Sequence, residues 1–260
     1  MLSAAVEKSD LVLEIGSGSG LLTRRLAGAA GRVVAVEIDP RLAELCREHT
    51  EGLGNITLLV RDALESKTTL APDLVGAAQD GMEAPEIKRL KAVANLSYAA
   101  ATSVIRAFLE GPLQPELMVF TVQKEVSDKL SARPGSKNYG PLAVIAQTHA
   151  CIEELRVIGP AAFFPQPKVN SAIVRMTPTD ELLRTVRNYE TYSEVVRHLF
   201  LHRRKKVTGA LALAERLAMP REKLSAALDR AGIPTDARAD ALSVRQIVGL
   251  ANEIESELSQ

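Results

Sequence analysis

The stretch from Val12 to Thr23 constrains this chain most. A short apolar run enters Gly16-Ser17-Gly18-Ser19-Gly20, and a helix-patterned segment begins at once with Leu21. Three alternate glycines let a backbone turn sharply and approach a ligand beside the positive end of the following helix. Further apolar runs at 11–15, 32–37, 56–60, 90–94 and 116–123 alternate with helical patterns at 21–29, 41–49 and 99–109. That alternation predicts a parallel sheet covered on both faces, a Rossmann-like α/β architecture. Runs at 147–158 and 171–176 read as two more strands, an antiparallel hairpin at the sheet edge, joined by the proline-rich loop 159–168. From residue 179 strand signals stop. Helical patterns cover 192–214, 221–231 and 244–258, broken at Pro220 and between Gly232 and Pro234. The expected division is an α/β domain over 1–178 and a small all-helical domain over 179–260.

The glycine spacing selects among nucleotide ligands. A dinucleotide loop has G-x-G-x-x-G, whereas here the third glycine arrives one residue sooner and Glu14 precedes the turn. This is the pattern of S-adenosylmethionine-binding folds; NAD is the nearest competitor, and the spacing disfavours it. The second strand ends in Glu37-Ile38-Asp39, where an acid can accept hydrogen bonds from both ribose hydroxyls. The third ends at Asp62-Ala63; Asp62 either accepts from an adenine amino group or caps a turn. The expected cofactor residues are Glu14, Gly16, Gly18, Gly20, Glu37, Ile38, Asp62 and Ala63, with Asn95 from the fourth strand. No residue set has metal-ligand spacing, and Cys46 and Cys151 fit a reducing cytoplasm.

The fourth strand ends in Asn95-Leu96-Ser97-Tyr98. The exocyclic nitrogen of adenine is a poor nucleophile because its lone pair is delocalised into the ring. An amide oxygen at Asn95 and the backbone carbonyl of Leu96 can accept its two hydrogens and localise that pair, while Tyr98 offers a flat face for the base. Aromatic residues make up only 3% of the chain, so the adjacent Phe163 and Phe164 stand out. Phe163 either sandwiches a flipped base against Tyr98, with Lys168 near phosphate, or plugs the junction between domains.

Basic and acidic residues number 32 each, which argues against a protein that coats nucleic acid indiscriminately. Local charge is another matter. Arg203-Arg204-Lys205-Lys206 is a run of four cations on a helical pattern, either a solvated helix face or a surface for a polyanion such as RNA. Lys124, Arg133 and Lys137 are further candidates for phosphate contact. No run is long and apolar enough to cross a membrane as a helix.

These residues together closely resemble the ribosomal RNA adenine dimethyltransferase family of the KsgA type, from about Ala4 to Leu250. The likeness rests on Leu13-Glu-Ile-Gly-x-Gly-x-Gly20, Glu37-Ile-Asp39, Asn95-Leu-Ser-Tyr98, Val122-Gln-Lys-Glu-Val126, Arg133-Pro-Gly-Ser-Lys137 and Phe163-x-Pro-x-Pro-Lys-Val169. It continues through Phe200-x-x-Arg-Arg-Lys205 and Arg238-Ala-Asp-x-Leu-Ser243. The resemblance implies two successive methyl transfers to each of two neighbouring adenines in a hairpin near the 3′ end of small-subunit rRNA. It also implies action by a monomer on an assembling ribosomal subunit, with the helical domain helping to dock. It favours base stacking for Phe163 and RNA contact for the cationic run. Ser17 and Ser97 stand where the family usually has proline, and Gln166 interrupts a proline triplet. The family also carries an N-terminal Gly-Gln-x-Phe-Leu segment over cofactor and base, which has no counterpart ahead of the first strand here; a chain lacking it is expected to bind cofactor weakly and turn over slowly. Two other functions fit the same motifs: methylation of large-subunit rRNA, and a non-catalytic assembly or transcription factor that keeps the fold.

Overall fold

The computed structural model describes residues 4–259. Strand β1 (Asp10–Ile15) is buried along its whole length, its two acids Asp10 and Glu14 included. The glycine turn leads to α1 (Leu21–Ala29), β2 (Arg32–Glu37), α2 (Pro40–His49) and β3 (Ile56–Val60). A small antiparallel pair, β4 (Leu64–Ser66) with β5 (Thr69–Leu70), precedes α3 (Pro72–Met82), β6 (Arg89–Asn95), α4 (Ala101–Glu110) and β7 (Leu117–Gln123). Helices α5 (Lys124–Leu130) and α6 (Pro141–His149) come next, then β8 (Ala150–Ile158) and β9 (Ser171–Pro178). Helices α7 (Tyr189–Leu201), α8 (Val207–Leu211), α9 (Arg221–Arg230) and α10 (Val244–Leu258) complete the chain.

The main sheet has the order β3-β2-β1-β6-β7-β9-β8. Strands β1, β2, β3, β6 and β7 are parallel, and β9 runs antiparallel to β7. Strand order reverses at β1, whose neighbours are β2 on one side and β6 on the other. The loops leaving β1 and β6 therefore diverge and open a crevice at the C-terminal ends of the strands, where open α/β sheets take ligands.

At the opposite end of β1, buried Asp10 accepts from Arg89 at 2.7 Å and pairs with Lys91 at 2.8 Å. Lys91 also donates to the carbonyls of Ala4 and Ala5 and so ties down the segment leading into the sheet. Burial would raise the Asp10 pKa, but hydrogen bonds from Lys91, the Glu7 amide and Arg89 outweigh it and hold the carboxyl below its ordinary value.

Contacts divide the chain into one unit of residues 1–127 and 151–178 and a second of 128–150 and 179–260. The expected cut after residue 178 coincides with one boundary, but the stretch 128–150 joins the helical unit. Helix α6 accounts for this. Leu142 through Ala146 are all buried, with Ala143, Val144 and Ile145 in the same apolar cluster as Tyr192, Val195, Leu199, Ile247 and Ile254. The sequence pattern had placed a strand from residue 147; the strand begins at Ala150, after this helix. Within the helical unit, buried Tyr139 donates to the Leu242 carbonyl at 2.8 Å, and Ser243 with Gln246 forms a capping box at the start of α10.

Candidate active site

Gly16, Gly18 and Gly20 all have positive φ, at 74°, 54° and 83°. The loop is pinned beneath by Val36, whose carbonyl accepts from the Gly16 and Ser17 amides. A side chain at Gly16 or Gly18 would meet no protein atom within 4 Å, so the space above the loop is open and the left-handed backbone alone demands glycine. Gly20 differs. A Cβ there would lie 2.9 Å from the Cys46 backbone, so this glycine lets α1 and α2 pack closely.

Above the loop lies a cavity of about 710 Å³, within the range of small-molecule sites. Gly16 and Gly18 line it from β1, Glu37 and Ile38 from β2, and Asp62 and Ala63 from β3. Asn95, Leu96 and Tyr98 line it from β6, and Phe163 reaches it from the loop before β9. Ten of the expected residues thus share one cavity although they span 147 positions of sequence (163 − 16). Leu42, Arg61 and Phe164 also line it and were not expected there. Arg61 is engaged with Asp73 at 2.5 Å and Glu65 at 3.3 Å, so it braces the rim. Sequence offers no signal for Leu42, which is one apolar position among several on α2.

The polar groups suit a nucleoside. Each Glu37 oxygen accepts one backbone N–H, from Gly18 at 2.8 Å and Asp39 at 3.0 Å, and each retains a second acceptor position. Asp62 accepts from the Leu64 amide at 2.9 Å through one oxygen, a turn-capping role combined with a place on the cavity wall. The turn after Asn95 is fixed by the Leu96 amide donating to Thr121 and by the Ala100 and Ala101 amides donating to Ser97.

Two expected cofactor residues, Glu14 and Gly20, do not line this cavity. Glu14 is 1% exposed, accepts a hydrogen bond from Thr23, and has one carboxylate oxygen without a hydrogen-bond partner among the described residues. Burial pushes its carboxyl up to about 8, with the Glu37 charge adding to the rise and a hydrogen bond from Thr23 opposing it. A strand buried on both faces gives no hint of which face such an acid will take.

The cationic residues fall into both units. In the first, Lys124 opens α5 and pairs with Glu154 at 3.3 Å, and Lys168 is exposed. In the second, the run 203–206 is not helical. Helix α7 ends at Leu201, the chain turns, and Lys206 forms a β-bridge with Arg238 before α8 begins. At this turn the half-exposed Arg203 donates to the carbonyls of Ser136 and Lys137 at 3.2 and 3.1 Å and lies 3.5 Å from Asp240. Arg203 thereby ties this turn to the loop carrying Arg133 and Lys137, which like Arg204, Lys205 and Lys206 are exposed. No helix among the described residues is long and apolar enough to cross a membrane.

Residues 2–256 match the family described as ribosomal RNA adenine dimethylase. A ribosomal RNA small subunit methyltransferase A from Halothermothrix orenii is 32% identical over 258 residues, covering 99% of this chain and 83% of the relative. A dimethyladenosine transferase from Plasmodium falciparum superposes with a TM-score of 0.80, covering 98% of this chain and 94% of that one; at 22% identity it speaks to the fold alone. The 23S rRNA methyltransferase ErmE gives 0.66 at 28% identity, with the same coverage. With nearly its whole length matched, the chain belongs to the ribosomal RNA adenine dimethylase family, and its methyl donor is S-adenosylmethionine.

Proposed function

We propose that this chain dimethylates N6 of two adjacent adenines in a hairpin near the 3′ end of small-subunit rRNA, acting as a cytoplasmic monomer on an assembling ribosomal subunit. The observation that carries this reading is the sharing of one cavity by the acidic stations Glu37 and Asp62 and by Asn95, Leu96, Tyr98 and Phe163. S-adenosylmethionine supplies an electrophilic methyl group when bound. Glu37 receives its ribose hydroxyls, Asp62 and Ala63 its adenine, and Gly16 and Gly18 admit it close to the backbone. Glu14 supports the loop.

Asn95 and the Leu96 carbonyl accept the two hydrogens of the target amine and localise its lone pair. Tyr98 and Phe163 clamp the base, which must leave its stack to enter. The methylated amine sheds its proton to solvent without a strong base. After one transfer a single N–H remains, so one of the two acceptors suffices for the second. Lys124 and Lys168 contact phosphate from the first unit, and Arg133, Lys137, Arg204, Lys205 and Lys206 do so from the second.

The small subunit is preferred because a relative bearing that name is 32% identical, against 28% for the 23S methyltransferase. The test is methyl transfer from labelled S-adenosylmethionine to small subunits lacking dimethyladenosine, with large subunits and Asn95→Ala as controls. Label in small-subunit adenines that disappears in the variant is expected. Label in large subunits alone, or label that survives Asn95→Ala, would overturn the assignment.

A further inference from the structure

Tyr98 is 39% exposed, and its ring would be free to swing on a short turn were it held only at Cα. It is not. Its phenol lies 3.2 Å from Oγ of Ser171, a residue only 1% exposed at the first position of β9. Ser171 has a fixed place in turn: it pairs with Gln123 across β7, and the preceding Asn170 carbonyl accepts from the Lys124 amide at 2.9 Å. The loop that delivers Phe163 to the cavity runs directly into this strand. Tyr98 is therefore referred through its hydroxyl to the strand into which the loop carrying Phe163 leads.

We infer that Ser171 is a positioning residue, whose hydroxyl holds in place the Tyr98 ring against which the target base rests. The inference depends on the reading of Tyr98 as the stacking surface. The phenol oxygen lies on the axis of ring rotation, so a tether there fixes where that axis points and where the ring sits, and small misplacements of a reacting group are costly to the rate. Ser97, preceding Tyr98, places no ring constraint on the turn, so the hydroxyl contact is the outer anchor of the side chain.

The experiment compares Ser171→Ala, Ser171→Thr, Tyr98→Phe and the Ser171→Ala/Tyr98→Phe double variant in methyl transfer to small subunits. The tyrosine ring signals are followed by NMR in the free protein labelled with ¹³C-tyrosine, and Tyr98→Phe assigns the relevant one among four tyrosines. Loss of one neutral hydrogen bond is expected to lower kcat about fivefold in Ser171→Ala. KM for S-adenosylmethionine should hold, Ser171→Thr should restore the rate, and the Tyr98 signal should move in Ser171→Ala. Tyr98→Phe should match that loss, and the double variant should be no worse than either single one. A wild-type kcat in Ser171→Ala, or losses that multiply in the double variant, would overturn the inference. A wild-type chain that methylates no ribosomal subunit would instead overturn the reading of function, and the Tyr98 signal would then decide alone whether Ser171 holds the ring.

Discussion

Glu14 offers a quantitative test of the strand end that leads into the glycine loop. Its carboxyl is raised from the ordinary 4.5 to about 8 by burial first and by the Glu37 charge second. Between those values the unfolded chain has lost this proton while the folded chain keeps it. The folded state therefore binds more protons, and stability falls as pH rises through the window, levelling off outside it. Each pH unit is worth about 1.4 kcal/mol, so the full interval of 3.5 units (8 − 4.5) corresponds to about 5 kcal/mol as an upper bound. Glu14→Gln keeps the shape and an acceptor for Thr23 but removes the titration. At pH 5 the two proteins should agree to within about 1 kcal/mol, the scale of one altered hydrogen bond. By pH 8 the variant should be the more stable by several.

Cys46 makes the measurement local. It is fully buried in the first unit and bonded to Thr23, the residue that also bonds Glu14. Pulse-labelling of its thiol across a urea gradient, with exposed Cys151 replaced by alanine, reads the opening of this unit alone. At a denaturant slope of about 2–3 kcal/mol/M, the wild-type midpoint should drop by about 0.5 M per pH unit between pH 5.5 and 7.5. The Glu14→Gln midpoint should stay level. Parallel profiles for the two proteins would refute the argument that Glu14 is protonated in the folded chain.

Five other substitutions probe three separate parts of the chain. Arg203→Ala should lower Tm, because it strips donors from the Ser136 and Lys137 carbonyls. Arg204→Ala should leave Tm unchanged and reduce the salt slope of rRNA binding by about one, as a phosphate contact does; equal effects of the two on Tm would count against the division of labour. Gly20→Ala should cost about 1–3 kcal/mol in urea unfolding, since it combines a left-handed φ with a 2.9 Å approach to the Cys46 backbone. Gly16→Ala should cost less, because only the backbone term applies there. Lys91→Met should cost about 3–5 kcal/mol by leaving Asp10 buried with one cationic partner, and a Tm within a degree of wild type would contradict this.

The parallel sheet and its ligand stations were legible because each is a local pattern. A strand that runs into a glycine turn or a lone acid announces its own C-terminal end, and the five parallel strands were placed within a residue of their observed bounds. What failed to show was what depends on distant partners. Helix α6 is buried on nearly every side, so it lacks the polar stripe by which a surface helix is recognised, and its assignment to the helical unit is a matter of packing. The turn at 202–206 is invisible for the same reason: its charges and neighbours favour continuing α7, while its partners, the carbonyls of residues 136 and 137 and the bridge to Arg238, lie far away in sequence.

The two outcomes at the cationic run bear on how such motifs should be weighed. Four adjacent cations invite the idea that each meets a phosphate, but charge of one sign also has to be held in place against its own repulsion. Arg203 serves that end, reaching back to two carbonyls and to within 3.5 Å of Asp240, contacts that its exposed neighbours do not share. Its planar fork can serve two carbonyls at once, which a lysine ammonium does less well. Arg203→Lys should therefore keep the charge of the run yet lose much of its order. If Arg203→Lys matched wild type in both Tm and rRNA affinity, net charge alone would account for the run, and the guanidinium contacts would carry no weight.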